Sequence, residues 1–250
     1  MIRALLIWLM LALPVAAEEV VAGLSRDEVA ITANFDGSDI LIYGAVKRDA
    51  PAAEGDMDVV ITVSGPVEPV TVRKKDRRFG IWVNTEEIEV DGAPSFYAVA
   101  ASGELSTVLS NVEDLRYKIS VARAIRSVGA PASISNAASF TEALIRIRED
   151  KDLYQNRDAS VKLYDDTLFS TTIDLPANLV EGPYNTRIFL VRKGAVVDEY
   201  ETVINVNKVG LERWIYDLAH EQPLIYGLMS LFIAITAGWM ASAVFRYIRF

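Results

Sequence analysis

The chain has 250 residues, no cysteine, one histidine and 34 acidic against 25 basic residues, for a net charge of −9. The lack of cysteine excludes thiol catalysis, disulfides, cysteine-based metal sites and iron–sulfur clusters, and a lone histidine excludes a multi-histidine metal centre. All 34 acids lie within residues 18–222, which without Arg3, Arg246 and Arg249 hold 22 basic residues and a net charge of −12, so the basic footprint of a nucleic-acid binder is missing.

Residues 1–17 read as a secretory signal. Arg3 supplies the positive start, residues 4–13 are an unbroken apolar run, Pro14 breaks it, and Val15, Ala16 and Ala17 are small residues suited to cleavage. Ten helical residues span roughly 15 Å, about half a bilayer core. Cleavage after Ala17 is therefore expected.

Residues 18–112 are predicted to be a β-sandwich-like lobe. Short β-rich runs at 29–35, 39–47, 57–64, 67–73, 79–84 and 95–101 are separated by turn signals at Asp36-Gly37, Gly65-Pro66 and Asp91-Gly92-Ala93-Pro94. Ile40 and Ile42 alternate with Leu41 and Tyr43, which predicts a central strand apolar on both faces. Residues 113–208 are predicted to be an α+β lobe. Its first part suits a helix over Leu115, Ile119, Ala122 and Ile125, although residues 117–121 suit a strand equally well. A helix at 140–152 follows, with Ser139 and Glu142 as a capping box and Phe140, Leu144, Ile147 and Tyr154 as its apolar face. Strands return at 161–164, 168–175, 187–192 and 195–206, with turns at Asp165-Asp166 and Lys193-Gly194. The fold class is thus a mainly β ectodomain of Ig-like sandwich lobes with a helical segment between them, plus one C-terminal transmembrane helix.

Residues 209–222 are predicted to be a juxtamembrane amphipathic segment. Leu211, Trp214, Ile215 and Leu218 lie on one helical face, and Glu212, Arg213, Asp217 and Glu221 on the other. The span follows at 223–245. Residues 224–245 carry no charge and make about 33 Å of helix. Arg246 and Arg249 in the tail, 246–250, orient it to the cytoplasm, and Tyr226 and Tyr247 mark the two interfaces. Ser230, Ala234, Gly238 and Ser242 recur every four residues and form a stripe of small side chains. In lipid such a stripe permits close helix packing, against a second copy or an integral membrane partner.

Candidate chemistry is sparse. Arg73, Lys74, Lys75, Arg77 and Arg78 place five positive charges within six residues of an acidic protein. That is a ligand or partner surface for oxyanions, lipid headgroups or acidic loops, or else a solvated turn. Asp165-Asp166 lacks the spacing of a calcium loop and reads as a turn. His220 lies at the predicted membrane edge with no nucleophile beside it in sequence. No nucleophile elbow, phosphate-binding loop or dinucleotide fingerprint occurs. No catalytic residue, cofactor or metal-ligand set is assigned; paired carboxylates remain the one catalytic option open.

Val63-Ser64-Gly65-Pro66, the basic run, Gly80-Ile81-Trp82-Val83-Asn84 and Pro94-Ser95-Phe96-Tyr97-Ala98-Val99 together resemble a transmembrane protein family of alphaproteobacteria. Leu168-Phe169, Leu175-Pro176-Ala177 and Gly182-Pro183-Tyr184 fit the same pattern. The resemblance implies a signal, a periplasmic ectodomain and one C-terminal span in the Gram-negative inner membrane. It also implies a neighbourhood of anion exporters, and it brings no catalytic residues. The expected function is a membrane-anchored, non-enzymatic accessory protein that docks on a membrane partner such as an anion transporter. The alternative is a periplasmic anion- or solute-binding module built on the basic run.

Overall fold

A computed structural model describes residues 18–32, 35–48, 55–127 and 137–248. The predicted signal segment and the last two residues of the predicted tail, Arg249 and Phe250, lie outside them. Twelve strands and six helices are described. The strands are β1 (Glu18–Leu24), β2 (Glu28–Ile31), β3 (Ser38–Arg48), β4 (Met57–Ser64), β5 (Val67–Arg78), β6 (Ile81–Pro94), β7 (Tyr97–Ala101), β8 (Tyr154–Arg157), β9 (Lys162–Tyr164), β10 (Leu168–Leu175), β11 (Gly182–Arg192) and β12 (Ala195–Lys208). The helices are α1 (Leu105–Val108), α2 (Asn111–Tyr117), α3 (Val121–Ala124), α4 (Ala137–Glu149), α5 (Leu211–Glu221) and α6 (Pro223–Ile248). The mainly β body, the helices between its strands and the single C-terminal apolar helix agree with the sequence reading.

The chain forms two compact units. Among the described residues, one holds 18–29 together with 36–206; the other holds 30–35 and 207–248. In the larger unit one sheet has the order β1-β3-β10-β9, and β5 pairs with β6 in a two-stranded sheet of their own. A six-stranded sheet runs β2-β12-β11-β4-β7-β8. The pairs β1–β3, β3–β10, β9–β10, β11–β12, β4–β11, β4–β7 and β5–β6 are antiparallel, whereas β7 and β8 run parallel. Both larger sheets take strands from either side of residue 112.

β3 is central, as its pattern predicts, but it is apolar-buried on one face only. Ile40, Ile42 and Val46 are buried while Leu41 and Tyr43 are exposed. β4, β7 and the second half of β11 are covered on both faces: Val59, Val60, Ile61, Thr62 and Val63, all of Tyr97–Ala101, and Ile188, Phe189, Leu190, Val191 and Arg192 are buried. The register explains the two faces. Val60 and Thr62 lie opposite Phe189 and Arg187, and directly opposed residues share a face. On that face the Phe189 ring meets Tyr117 of α2 edge-on at 5.5 Å, and the Tyr97 hydroxyl donates to the Ile119 carbonyl at 2.8 Å. On the other face Ile61 lies opposite Ile188, and Arg192 reaches Glu18 of β1.

Residues 117–121, which suited helix or strand equally, end α2 and turn into α3. Lys118 sits in the left-handed region at φ 54°, and Asp114 accepts hydrogen bonds from both the backbone and hydroxyl of Ser120. α4 begins before the predicted cap, so Ser139 lies within the helix. Phe140 and Leu144 are buried, but Ile147 is exposed. Arg148 takes the inner position instead, donating to the Ser95 carbonyl at 2.6 Å with its guanidinium 5.8 Å from the Tyr154 ring. Tyr154 begins β8 rather than extending the helix. Asp165 and Asp166, both at φ 48°, form the β9–β10 turn. Lys193 and Gly194, at φ 50° and 80°, form the tight β11–β12 hairpin. The Asp91-Gly92-Ala93-Pro94 turn signal is a correction: those residues finish β6 as a strand, and Gly92 and Arg126 exchange backbone hydrogen bonds.

Candidate functional site

The basic run lies along a strand rather than in a turn. Residues 73–78 form the outer half of β5, paired with the outer half of β6, and the hairpin tip is Phe79-Gly80. The root of this ribbon is anchored by Val72, Ile88 and Val90, all buried, and it packs against α4. From Arg73 outward every residue of β5 is exposed. Six residues at about 3.3 Å each make an arm projecting roughly 20 Å.

The tip is a two-residue turn with φ of 50° at Phe79 and 87° at Gly80. Glycine is at home there, but a bulky aromatic in the left-handed region is strained. Asparagine would be the ordinary choice at that position. The phenyl ring gains no packing in return: Phe79 is 106% exposed, and Ile81 and Trp82 beside it are 65% and 68% exposed.

Charge is graded along the arm. Near the root Arg73 pairs with Glu87 at 3.1 Å and Lys74 with Glu86 at 3.5 Å, both ion pairs being solvent-exposed. Further out Lys75 lies opposite Asn84, Arg77 opposite Trp82, and Arg78 opposite Ile81. These three cations have no ion pair among the described residues. Asp76, the acid between them, accepts a hydrogen bond from the backbone N–H of Arg77 at 2.8 Å. The two faces of the outer ribbon therefore each carry a guanidinium beside a large apolar side chain. Phe79, Ile81 and Trp82 are not among the sequence-derived site residues. The signal is present as Phe79-Gly80-Ile81-Trp82 directly after the basic run, but by composition it suits the start of a strand.

In the smaller unit Pro223–Val244 is a helix long and apolar enough to cross a membrane, with a mean hydropathy of 1.8 and none of its described residues buried. Ser230, Ala234, Gly238 and Ser242 are all accessible on it. A methyl group added at Gly238 would meet nothing within 4 Å. The helix satisfies its own hydroxyls: Ser230 donates to the Gly227 carbonyl at 2.9 Å and Thr236 to the Phe232 carbonyl at 2.9 Å. Such self-satisfaction lets a hydroxyl lie in hydrocarbon without an orphaned polar group. The helix continues through Arg246 to Ile248. Upstream in α5, Trp214 and Tyr216 are exposed, and His220 stacks on Tyr216 at 4.0 Å with Nδ1 2.8 Å from the Tyr216 carbonyl. The side chains of Leu211, Glu212, Arg213, Asp217 and Tyr247 lie outside the described residues.

A cavity of about 570 Å³ in the larger unit is lined by Tyr97, Tyr117, Lys118, Arg187 and Glu201 among others. Two of its polar groups, Arg187 and Tyr97, are engaged in structure. Arg187 donates to the Tyr117 carbonyl at 2.9 Å, lies 3.8 Å from Glu199 and sits 5.0 Å from the Phe189 ring. Burial pushes the Tyr97 hydroxyl up to about 12, against the lowering influence of Arg187. Glu201 is the one carboxylate in the lining, so the cavity lacks the facing pair that acid-dependent hydrolysis needs.

The chain belongs to the family described as "Putative transmembrane protein (Alph_Pro_TM)", which matches residues 19–247. No curated protein matches it.

Proposed function

We propose that this family member is a single-span accessory protein of the bacterial inner membrane, with its body in the periplasm and its tail in the cytoplasm. Its span docks on an integral membrane partner, such as an anion transporter, or on a second copy of itself. The carrying observation is the bare span: no described residue of Pro223–Val244 is buried, and its small-residue stripe is open along the helix. Lipid tails provide no hydrophobic drive toward another helix, so a face that lets backbones approach closely is how such a span gains contact energy.

The anion-binding alternative has less support. Arg73 and Lys74 are already paired with Glu87 and Glu86, and none of the described cavities is lined by the basic run. The test is purification of the tagged full-length protein in mild detergent from its native membranes. A membrane protein should co-purify, and changing both Ala234→Leu and Gly238→Leu should abolish its recovery. Equal recovery with the double variant would remove the span as the docking surface.

A further inference from the structure

We propose that the β5–β6 arm is a second membrane contact, with Phe79, Ile81 and Trp82 seated in the interface of an anionic bilayer and Lys75, Arg77 and Arg78 on its headgroups. Four observations converge on this occupant. First, the three largest apolar side chains of the tip are exposed, and Phe79 holds a strained backbone conformation that leaves its ring in solvent. Strain without a packing return marks a place where the return comes from outside the fold. Second, the unpaired cations lie on both faces of the ribbon within the outermost pairs, beside the apolar residues. An arginine at this position keeps its charge at phosphate level while its stem and the neighbouring ring occupy the apolar side of the boundary.

Third, the chemistry is complementary to lipid and to little else on this molecule. Residues 18–222 carry a net charge of −12, so an anionic surface repels the body and attracts it only at the arm. Fourth, the chain passes directly from β12, ending at Lys208, to the span, beginning at Pro223, so the body that carries the arm is tethered to the bilayer. A weak contact is then effectively intramolecular, and an arm with a small apolar tip suffices.

The chain's lack of cysteine makes the test direct. Ile81→Cys is labelled with a polarity-sensitive fluorophore in the full-length protein. The protein is reconstituted into vesicles of phosphatidylcholine alone, or of phosphatidylcholine mixed with phosphatidylglycerol. In the anionic vesicles the label should be quenched by lipid-borne nitroxide and protected from aqueous iodide; in the neutral ones it should be exposed. Reversing Arg77 and Arg78 to Glu should release it, each lost cation lowering the bound-to-free ratio about fivefold. A label on Val112→Cys, an exposed position of α2, should stay aqueous throughout. Aqueous quenching at position 81 in both lipids would overturn the proposal. So would protection that appears only in native membranes containing other proteins, because the occupant would then be a protein. Phe79→Ser with Trp82→Ser, which leaves every cation in place, should also release the label; continued protection in that variant would show that the apolar tip plays no part.

Discussion

Glu18 holds the first strand to two others through one carboxylate. Arg192 donates to both of its oxygens at 2.8 and 2.9 Å, and Arg48 Nε donates at 3.0 Å, with the Glu18 and Arg192 side chains each only 8% exposed. Arg48 also donates to the Asp166 carbonyl and Arg192 to the Gly55 carbonyl, so neither guanidinium depends on Glu18 alone. Removing one partner of a buried pair leaves the other charge uncompensated. Glu18→Gln should therefore cost about 3 kcal/mol, a fall of roughly 6–12 °C in Tm. Burial raises the Glu18 carboxyl, but the two guanidiniums outweigh it and hold it below the ordinary carboxylate value. A lowered folded value means its contribution is complete above the unfolded pKa, about 4.3, and is lost as pH falls through the folded one. The Tm gap between wild type and E18Q should accordingly be widest near neutral pH and close under acid. A gap of constant size from pH 7 to pH 2 would contradict this role. Nothing in the sequence announces the clasp, because its partner is 174 positions away and Glu18 directly follows the predicted cleavage site. Gly44 is a similar case. An added Cβ would lie 2.4 Å from the Phe169 ring and 2.7 Å from the Val21 carbonyl oxygen. Gly44→Ala should cost about 1–3 kcal/mol in chemical denaturation, because the carbonyl belongs to the paired strand and cannot yield as a side chain could.

Among the elements, the arm divides into a structural root and a free tip. Ile88 is 2% exposed and Val90 fully buried, whereas the residues beyond Arg73 touch little but their own cross-strand partners. Ile88→Ala should cost about 2–5 kcal/mol, the range for truncating a packed aliphatic side chain. The double change Phe79→Ser, Trp82→Ser should move stability by no more than about 0.5 kcal/mol, since surface positions lack a packing contribution to lose. Urea melts of the two variants test the division, and a large loss for the tip variant would mean that the tip packs on the body. The strands at 57–64 and 168–175 were legible to the residue, because β-rich composition and flanking turn signals agree there. The arm was legible only in pieces. Charged residues and a Gly-Ala-Pro sequence imitate turns, yet a long twisted ribbon tolerates both wherever its backbone is paired. β8 was hidden for a different reason: Tyr154-Gln155-Asn156-Arg157 has no strand pattern of its own and is held by parallel pairing with β7. The bare span was the most legible element of all, since its hydrophobic length needs no partner to be recognised.

At the scale of the whole molecule, charge rather than shape carries the functional argument. The order of the sheets could not be read in advance, because pairings such as β3 with β10 join segments more than a hundred residues apart. The charge layout could be read directly. Acids fill the body to Glu221, nothing charged follows until Arg246, and Arg249 completes the tail. Basic residues beside a span are retained on the cytoplasmic side, whereas acids influence orientation little. In the orientation proposed above the body lies outside, where its net negative charge would keep it off an anionic leaflet except at the arm. This orientation has a consequence that can be separated from docking and from lipid contact. In cells with a permeabilised outer membrane, an impermeant maleimide should label Val112→Cys at once. Phe250→Cys should react only after the inner membrane is broken. Because the native chain has no thiol, each signal reports its own position, and the inverse pattern would place the body in the cytoplasm. The arm would then face the inner leaflet, and the span's docking face would have to be sought in the opposite register relative to any transporter.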